Sequence, residues 1–300
     1  MRWRVALVLL LLALPRPARG APPTATSASP DHPRYHVPVA FARYAYFGDA
    51  EVPADCAACG DLHLDGHALR VGLQGGHRLT GPRLILTGAI DYDLAVVTAS
   101  GAGRQDEAAL HALQARVGAI KQLAGGWGLL VFVRMGVASD FTDAAWTDLR
   151  ASTGAGVVHF WGPDLRLTVG FTYSNNFIGE LVLPLVHLQL NRGPLRLTLM
   201  IPRGAALWVE LGPRFEVGLE AQAVALRFGL HRRDRFTDEY SQLNVTAGPA
   251  ARLTLLRGTF VTAQGGYNVR YYRLKSGQEE THSLLTFAGG FAALTLGYMY

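Results

Sequence analysis

Two cysteines and two histidines lie close enough together to suggest chemistry. Cys56, Cys59, His63 and His67 read C-x2-C-x3-H-x3-H, which supplies the ligand types of a zinc site. If the chain from Leu62 to His67 is extended, His63 and His67 share a face but stand roughly 13 Å apart at about 3.3 Å per residue, too far for one ion. A metal site would need a bend at Gly66. The competing reading is a small loop disulfide, or a strained one, between Cys56 and Cys59, because these are the only cysteines and an exported chain would oxidise them. The disulfide is the preferred reading, so neither a metal nor any other cofactor is expected.

Hydrolysis would need a nucleophile or an acid held beside a base. Asp91 with Asp93, or Ser139 with Asp140, are the pairs that could serve. There is no G-x-S-x-G elbow and no HExxH motif, and His77, His111, His159, His187, His231 and His282 are spread over different segments. Neighbouring acids on one strand face more often line a lumen, and the chain is not expected to be an enzyme.

The elements that must position these residues show period-two alternation. Leu84, Leu86, Gly88, Ile90, Tyr92 and Leu94 take one parity, with Thr87, Asp91 and Asp93 on the other. The same two-faced pattern sets Leu165, Leu167, Val169, Phe171 and Tyr173 against Arg166, Thr168 and Thr172. It recurs from Leu195 to Ile201, from Arg214 to Ala223 and from Val261 to Tyr271. Turn-like or polar stretches separate these segments, as at Ser100, Asn191, Arg232 and Lys275, and two loop lengths are present. Strand starts are placed near Val37, Leu62, Arg83, Ala108, Trp127, Ala151, Leu165, Leu181, Leu195, Trp208 or Phe215, Leu243, Phe260 and Leu284. The pattern predicts an all-β fold, a closed antiparallel transmembrane β-barrel of about 12 strands, with 10 or 14 as the alternatives.

Composition favours the membrane over a soluble sandwich. Of 300 residues, 49% are hydrophobic and 17% charged, and the only lysines are Lys121 and Lys275. A soluble sheet normally covers its outer face with Lys and Glu, whereas the second face here is sparse in charge. In lipid every backbone donor and acceptor must be paired within the protein, so a sheet can span only as a closed barrel. Tyr92, Trp127, Trp161, Tyr173, Trp208, Tyr271 and Tyr298 fall near strand ends, where an aromatic girdle would place them.

Residues 1–20 read as a signal peptide: Arg2 and Arg4 precede an apolar run from Val5 to Leu14, then Pro15, Pro17 and small residues. That run is too short to cross as a helix, which needs about 20 residues. Residues 21–34 are expected to form a flexible leader, and residues 35–300 the barrel. The formal charge is +5, and losing Arg2, Arg4, Arg16 and Arg19 would leave +1, so no nucleic acid is expected as a partner. The expected location is the outer membrane of a Gram-negative bacterium, reached through the periplasm, with outer-membrane lipid as the surrounding partner. The sequence carries no signal for oligomeric state.

The polar faces propose a lumen lined by Asp91, Asp93, Arg134, Arg166, Arg196, Glu210, Arg214, Glu216, Glu220 and Arg270. Unpaired charges of both signs are costly in a dry interior, so these residues imply either water or a salt-bridged plug. The last strand is expected to end at Tyr300, with Leu294, Leu296, Tyr298 and Tyr300 on one apolar parity. This resembles the terminal strand of outer-membrane barrels, which implies recognition by the barrel-assembly machinery. The stretches GVASDFTDAAW from Gly136, LTVGFTYSNNF from Leu167, ELVLPLVHLQL from Glu180 and LRLTLMIPRGAALWVEL from Leu195 resemble an uncharacterised family of bacterial outer-membrane barrels, known as a domain of unknown function. The resemblance covers roughly the second half of the chain and implies location without chemistry. Three functions follow in order: a passive channel or transporter for a small solute, a structural or envelope-binding barrel without conductance, and a membrane-embedded hydrolase.

Overall fold

The alternating stretches become strands in the computed structural model of the chain, which describes residues 40–51, 63–79, 83–101, 104–141, 148–175, 180–229, 239–256, 258–276 and 279–299. The first five strands are β1 (Ala40–Glu51), β2 (His63–Leu79), β3 (Leu84–Gly101), β4 (Arg104–Gln122) and β5 (Trp127–Ser139). Next come the shorter β6 (Leu149–Trp161), β7 (Leu165–Ser174), β8 (Leu181–Arg192), β9 (Leu195–Ile201) and β10 (Gly204–Gly212). Longer strands return with β11 (Phe215–Gly229), β12 (Glu239–Leu256), β13 (Thr259–Ser276) and β14 (Glu279–Tyr298). Each pairs antiparallel with its sequence neighbour, and β1 closes the ring on β14, from Ala40 opposite Tyr298 to Phe47 opposite Phe291.

The count of 14 corrects the expectation of about 12. Trp208 and Phe215 are not alternative starts of one strand. They belong to β10 and β11, joined through the short turn at Pro213 and Arg214. At one rim all connections are two to four residues long, and at the other they range from two to eleven. A tight connection joins β8 to β9, where Gly193 takes a φ of 58° that a Cβ would disfavour.

The barrel has its apolar face outward. Val117 is 67% exposed and Phe171 68%, and Leu86, Ile90, Leu113, Val131, Val133, Val157 and Leu219 also project from the outer wall. Near one rim this band ends at Trp127, His159 and Trp161, with the His159 ring in contact with both indoles. Toward the other rim the Tyr44 hydroxyl meets His67 Nδ1 at 2.7 Å, and the Tyr92 hydroxyl meets His111 Nδ1 at 2.8 Å. Aliphatic surface flanked by aromatic and imidazole rings is the pattern of a wall facing hydrocarbon between two polar interfaces. Among the described residues no helix is long and apolar enough to cross a membrane.

Large inner side chains fit because glycines face them. A β-carbon at Gly154 would overlap the Phe132 ring, and one at Gly297 would overlap Phe260. Each ring therefore lies flat on the neighbouring strand instead of crossing the lumen.

The barrel is uneven around its circumference. β9 pairs with β8 only from Val186, and β10 with β11 only from Gln222, so no described strand pairs with that edge of β11 from Val224 to Arg227. Beyond this notch β11 meets β5, with Gly229 beside Ser139 and the Asp140 amide donating to the Gly229 carbonyl at 3.2 Å. Arg150 Nε donates to the Arg227 carbonyl at 2.7 Å, which satisfies one acceptor on the free edge. At this level Phe228, fully buried, packs on Ala95, Leu110, Ala112, Ala138 and Tyr240. These residues come from β3, β4, β5, β11 and β12, so an apolar plug bridges the interior at this level.

Candidate functional site

Below that plug the inner wall is rich in arginine. β3 places Asp91 and Asp93 two residues apart on the inner face, and β2 brings Arg70 alongside. Arg70 lies 3.6 Å from Asp91 Oδ2 through Nη2 and 3.4 Å from Asp93 Oδ1 through Nε. Arg134 reaches over β4 from β5 to the same Asp91 Oδ2, at 3.2 Å. One carboxylate is thus shared by two guanidinium groups.

A second group lies toward the short-turn rim. Arg196 on β9 and Arg252 on β12 both bond Glu216 on β11, the latter at 3.3 Å. Arg252 also donates to Thr262 Oγ1 at 3.1 Å and stacks between Trp208 and Phe260, with centroid distances of 4.4 and 4.9 Å. The two rings orient the guanidinium and shield it from water, which strengthens its pairing with Glu216.

A third contact links distant strands. Arg43 on β1 lies 4.0 Å from Glu220 on β11, and its Nη2 donates to Gln264 Oε1 at 2.8 Å. Gln264 in turn donates from Nε2 to the Glu220 carbonyl at 3.2 Å. Beside these groups a cavity of about 90 Å³ has a largely apolar lining that includes Phe47, Val97 and Leu226, with Arg43, Arg70, Asp93 and Arg270 at its polar part. Arg270, 1% exposed, stacks over Phe47 at 4.7 Å.

The inner cations outnumber the inner acids. Arg116 on β4 stands directly opposite Arg134 on the inner wall. Like charges directly opposite each other on one face of a sheet are destabilising. Arg203, in the turn between β9 and β10, keeps its own surface open yet has Arg134, Arg116, Arg70 and Asp91 as electrostatic neighbours. Those four sit on the inner faces of β5, β4, β2 and β3, so Arg203 adds its charge to that part of the wall. Among the described residues neither Arg116 nor Arg203 forms an ion pair with an acid.

Of the other residues expected in the lumen, Arg166 faces inward and donates from Nη2 to His187 Nδ1 at 3.1 Å. Glu210 keeps inner parity with Trp208 but is exposed at the rim, opposite Glu216 in the ladder. Arg214 lies in the turn beside it, exposed. Sequence reasoning missed Arg43, Arg70, Arg116, Arg203 and Arg252. Arg116 and Arg252 have the same alternation signal as Arg134 and Arg196, with Leu113, Val117 and Leu253 on the outer parity. Arg203 carries no periodic signal because it sits in a turn.

Other candidates lie apart from this lumen. Cys56 and Cys59 fall outside the described residues, as does Tyr300, and β14 ends at Tyr298. Leu294, Leu296 and Tyr298 face outward. β2 runs unbroken through Gly66, and no cluster of metal-ligating residues occurs among the described residues. Ser139 is buried and stands opposite His111, but its Oγ accepts the Phe141 amide at 3.3 Å while His111 Nδ1 is taken by Tyr92.

Together these features define a class: an antiparallel barrel closed on itself, apolar outside and ionised inside. The chain belongs to the family described as a domain of unknown function (DUF6268), whose model matches residues 103–281. None of the curated proteins compared with it matches in sequence. Among solved structures it is similar to an outer membrane channel from Pseudomonas putida F1, with 12% identity over 92% of this chain and 100% of that one and a TM-score of 0.40. It is also similar to the β-domain of the Bordetella autotransporter BrkA, with 14% identity, 87% and 98% coverage and a TM-score of 0.34. The translocator domain of the autotransporter NalP from Neisseria meningitidis gives 15% identity, 87% and 88% coverage and a TM-score of 0.35.

Proposed function

We propose that this chain is an outer-membrane β-barrel of a Gram-negative bacterium that passes a small solute through its lumen. The observation that carries the reading is the inverted wall, with exposed Val117 and Phe171 outside and the Arg70–Asp91–Arg134 and Arg196–Glu216–Arg252 groups inside. Such a surface is unfavourable in water and favourable in hydrocarbon. Residues 1–20 act as the export signal, and the outward Leu294, Leu296 and Tyr298 present the strand that the barrel-assembly machinery inserts.

The test is outer-membrane fractionation with heat-modifiable gel migration, followed by planar-bilayer recording of the purified protein. Stepwise conductance supports the channel, and silence removes it. Recovery in the soluble periplasm overturns the barrel reading as a whole.

A second reading is favoured by one observation. The Phe228 cluster and the Arg43–Glu220 contact both bridge strands across the interior, as a structural or envelope-binding barrel without conductance would require. Crosslinking to a reproducible envelope partner in the absence of conductance would select it.

A further inference from the structure

We propose that the middle of the lumen is a binding site for a small oxyanion, held by Arg116, Arg134 and Arg203. The inference names the substrate class of the channel and rests on that reading for passage, though binding is measurable without it.

Arg116 and Arg134 are cross-strand neighbours on one face, an arrangement that destabilises a sheet unless something neutralises it. Arg134 shares its acid with Arg70, so Asp91 cannot neutralise Arg116 as well. Arg203, whose carbonyl accepts the Ala223 amide of β11 at 2.8 Å, adds a third positive charge from the β9–β10 turn, with Arg134 and Arg116 among its electrostatic neighbours. Arg70, Arg116, Arg134 and Arg203 contribute +4 against −2 from Asp91 and Asp93, an excess of +2. The neighbouring wall adds a donor. Ser152 on β6 stands opposite Arg134, is 5% exposed, and its hydroxyl has no hydrogen-bond partner.

Arg116 and Arg134, each ending in a planar fork of N–H donors, stand side by side on the inner wall next to the buried Ser152 hydroxyl, and their acids are too few to neutralise them. That donor set fits carboxylate, phosphate or sulfate, whose several acceptor oxygens can each take a directed bond. Chloride can balance the charge but cannot use the fork geometry. Loosely solvated arginines would show no such preference.

The experiment titrates the full chain, folded in detergent as judged by heat-modifiable migration, with inorganic phosphate, succinate and chloride at matched ionic strength. Intrinsic tryptophan fluorescence and calorimetry report binding. Saturable binding of phosphate or succinate is expected, about tenfold or more tighter than chloride, with Arg116→Gln and Arg203→Gln each weakening it by about tenfold, the loss of one charge-assisted hydrogen bond. Arg192→Gln, on an exposed rim residue, should leave it unchanged. Binding of phosphate alone or succinate alone identifies the phosphoryl or carboxylate source, and either supports the site. Binding no tighter than chloride, or untouched by both substitutions, overturns it. If Arg116→Gln does not fold, Arg203→Gln, in an open turn, decides alone. Binding without conductance rejects the channel and keeps the site. Conductance without oxyanion binding does the reverse.

Discussion

Arg116 on β4 and Arg134 on β5 face each other across adjacent strands on the inner wall, and only Arg134 reaches an acid, Asp91. Their stability effects should therefore differ in sign. Arg116→Gln removes a repulsion and is expected to hold or raise the temperature at which folded migration is lost, whereas Asp91→Asn leaves Arg70 and Arg134 without their shared acid. Its expected cost is about 2–3 kcal/mol, read from urea unfolding in detergent.

Glu216 is the acid that holds both Arg196 and Arg252. Replacing it with Gln leaves two cations uncompensated, so bilayer recordings should show a shift toward anion selectivity. Arg196→Gln should shift selectivity the other way. Identical reversal potentials for the two variants would mean that this group does not line the conducting path.

Phe228 bridges the interior with Ala95, Leu110, Ala112, Ala138 and Tyr240. Phe228→Ala is expected to destabilise the barrel by about 3–5 kcal/mol and, if the channel reading holds, to raise unit conductance. Unchanged conductance in a folded variant would place the path beside the plug, through the notch above the β9–β10 hairpin.

The outer wall makes its own prediction. Val117→Arg puts a charge where hydrocarbon is expected, at a cost of about 2–4 kcal/mol near the bilayer midplane, measured by reversible unfolding in lipid. Arg214→Ala, in an exposed turn, should have an effect under about 0.5 kcal/mol. Comparable effects at the two sites would argue against a membrane wall.

Deleting Tyr300 should lower the yield of heat-modifiable protein in outer-membrane fractions. Normal yield would place the assembly signal in the outward Leu294, Leu296 and Tyr298, without need of Tyr300.

Period-two alternation is a local property of an extended chain, and so the facing of each side chain was legible within single segments. Asp91 and Asp93 inward with Ile90 outward could be read from the residues themselves, as could Arg166, Arg196 and Glu216. The number of strands was harder to read. Alternation runs on across the tight turn at Pro213 and Arg214, which merged β10 and β11 into a single expected start.

What the sequence by itself determined is the two-faced wall, apolar on one side and arginine-bearing on the other, and therefore the closed barrel. Only the tertiary structure decided which inner charges meet. Arg43 finds Glu220 and Gln264 through ring closure, and β11 leans across to β5 so that Phe228 bridges the interior. Arg203 adds its charge to the inner wall from the short β9–β10 hairpin. These are contacts between segments far apart in the chain, set by strand lengths and closure, and no local periodicity encodes them.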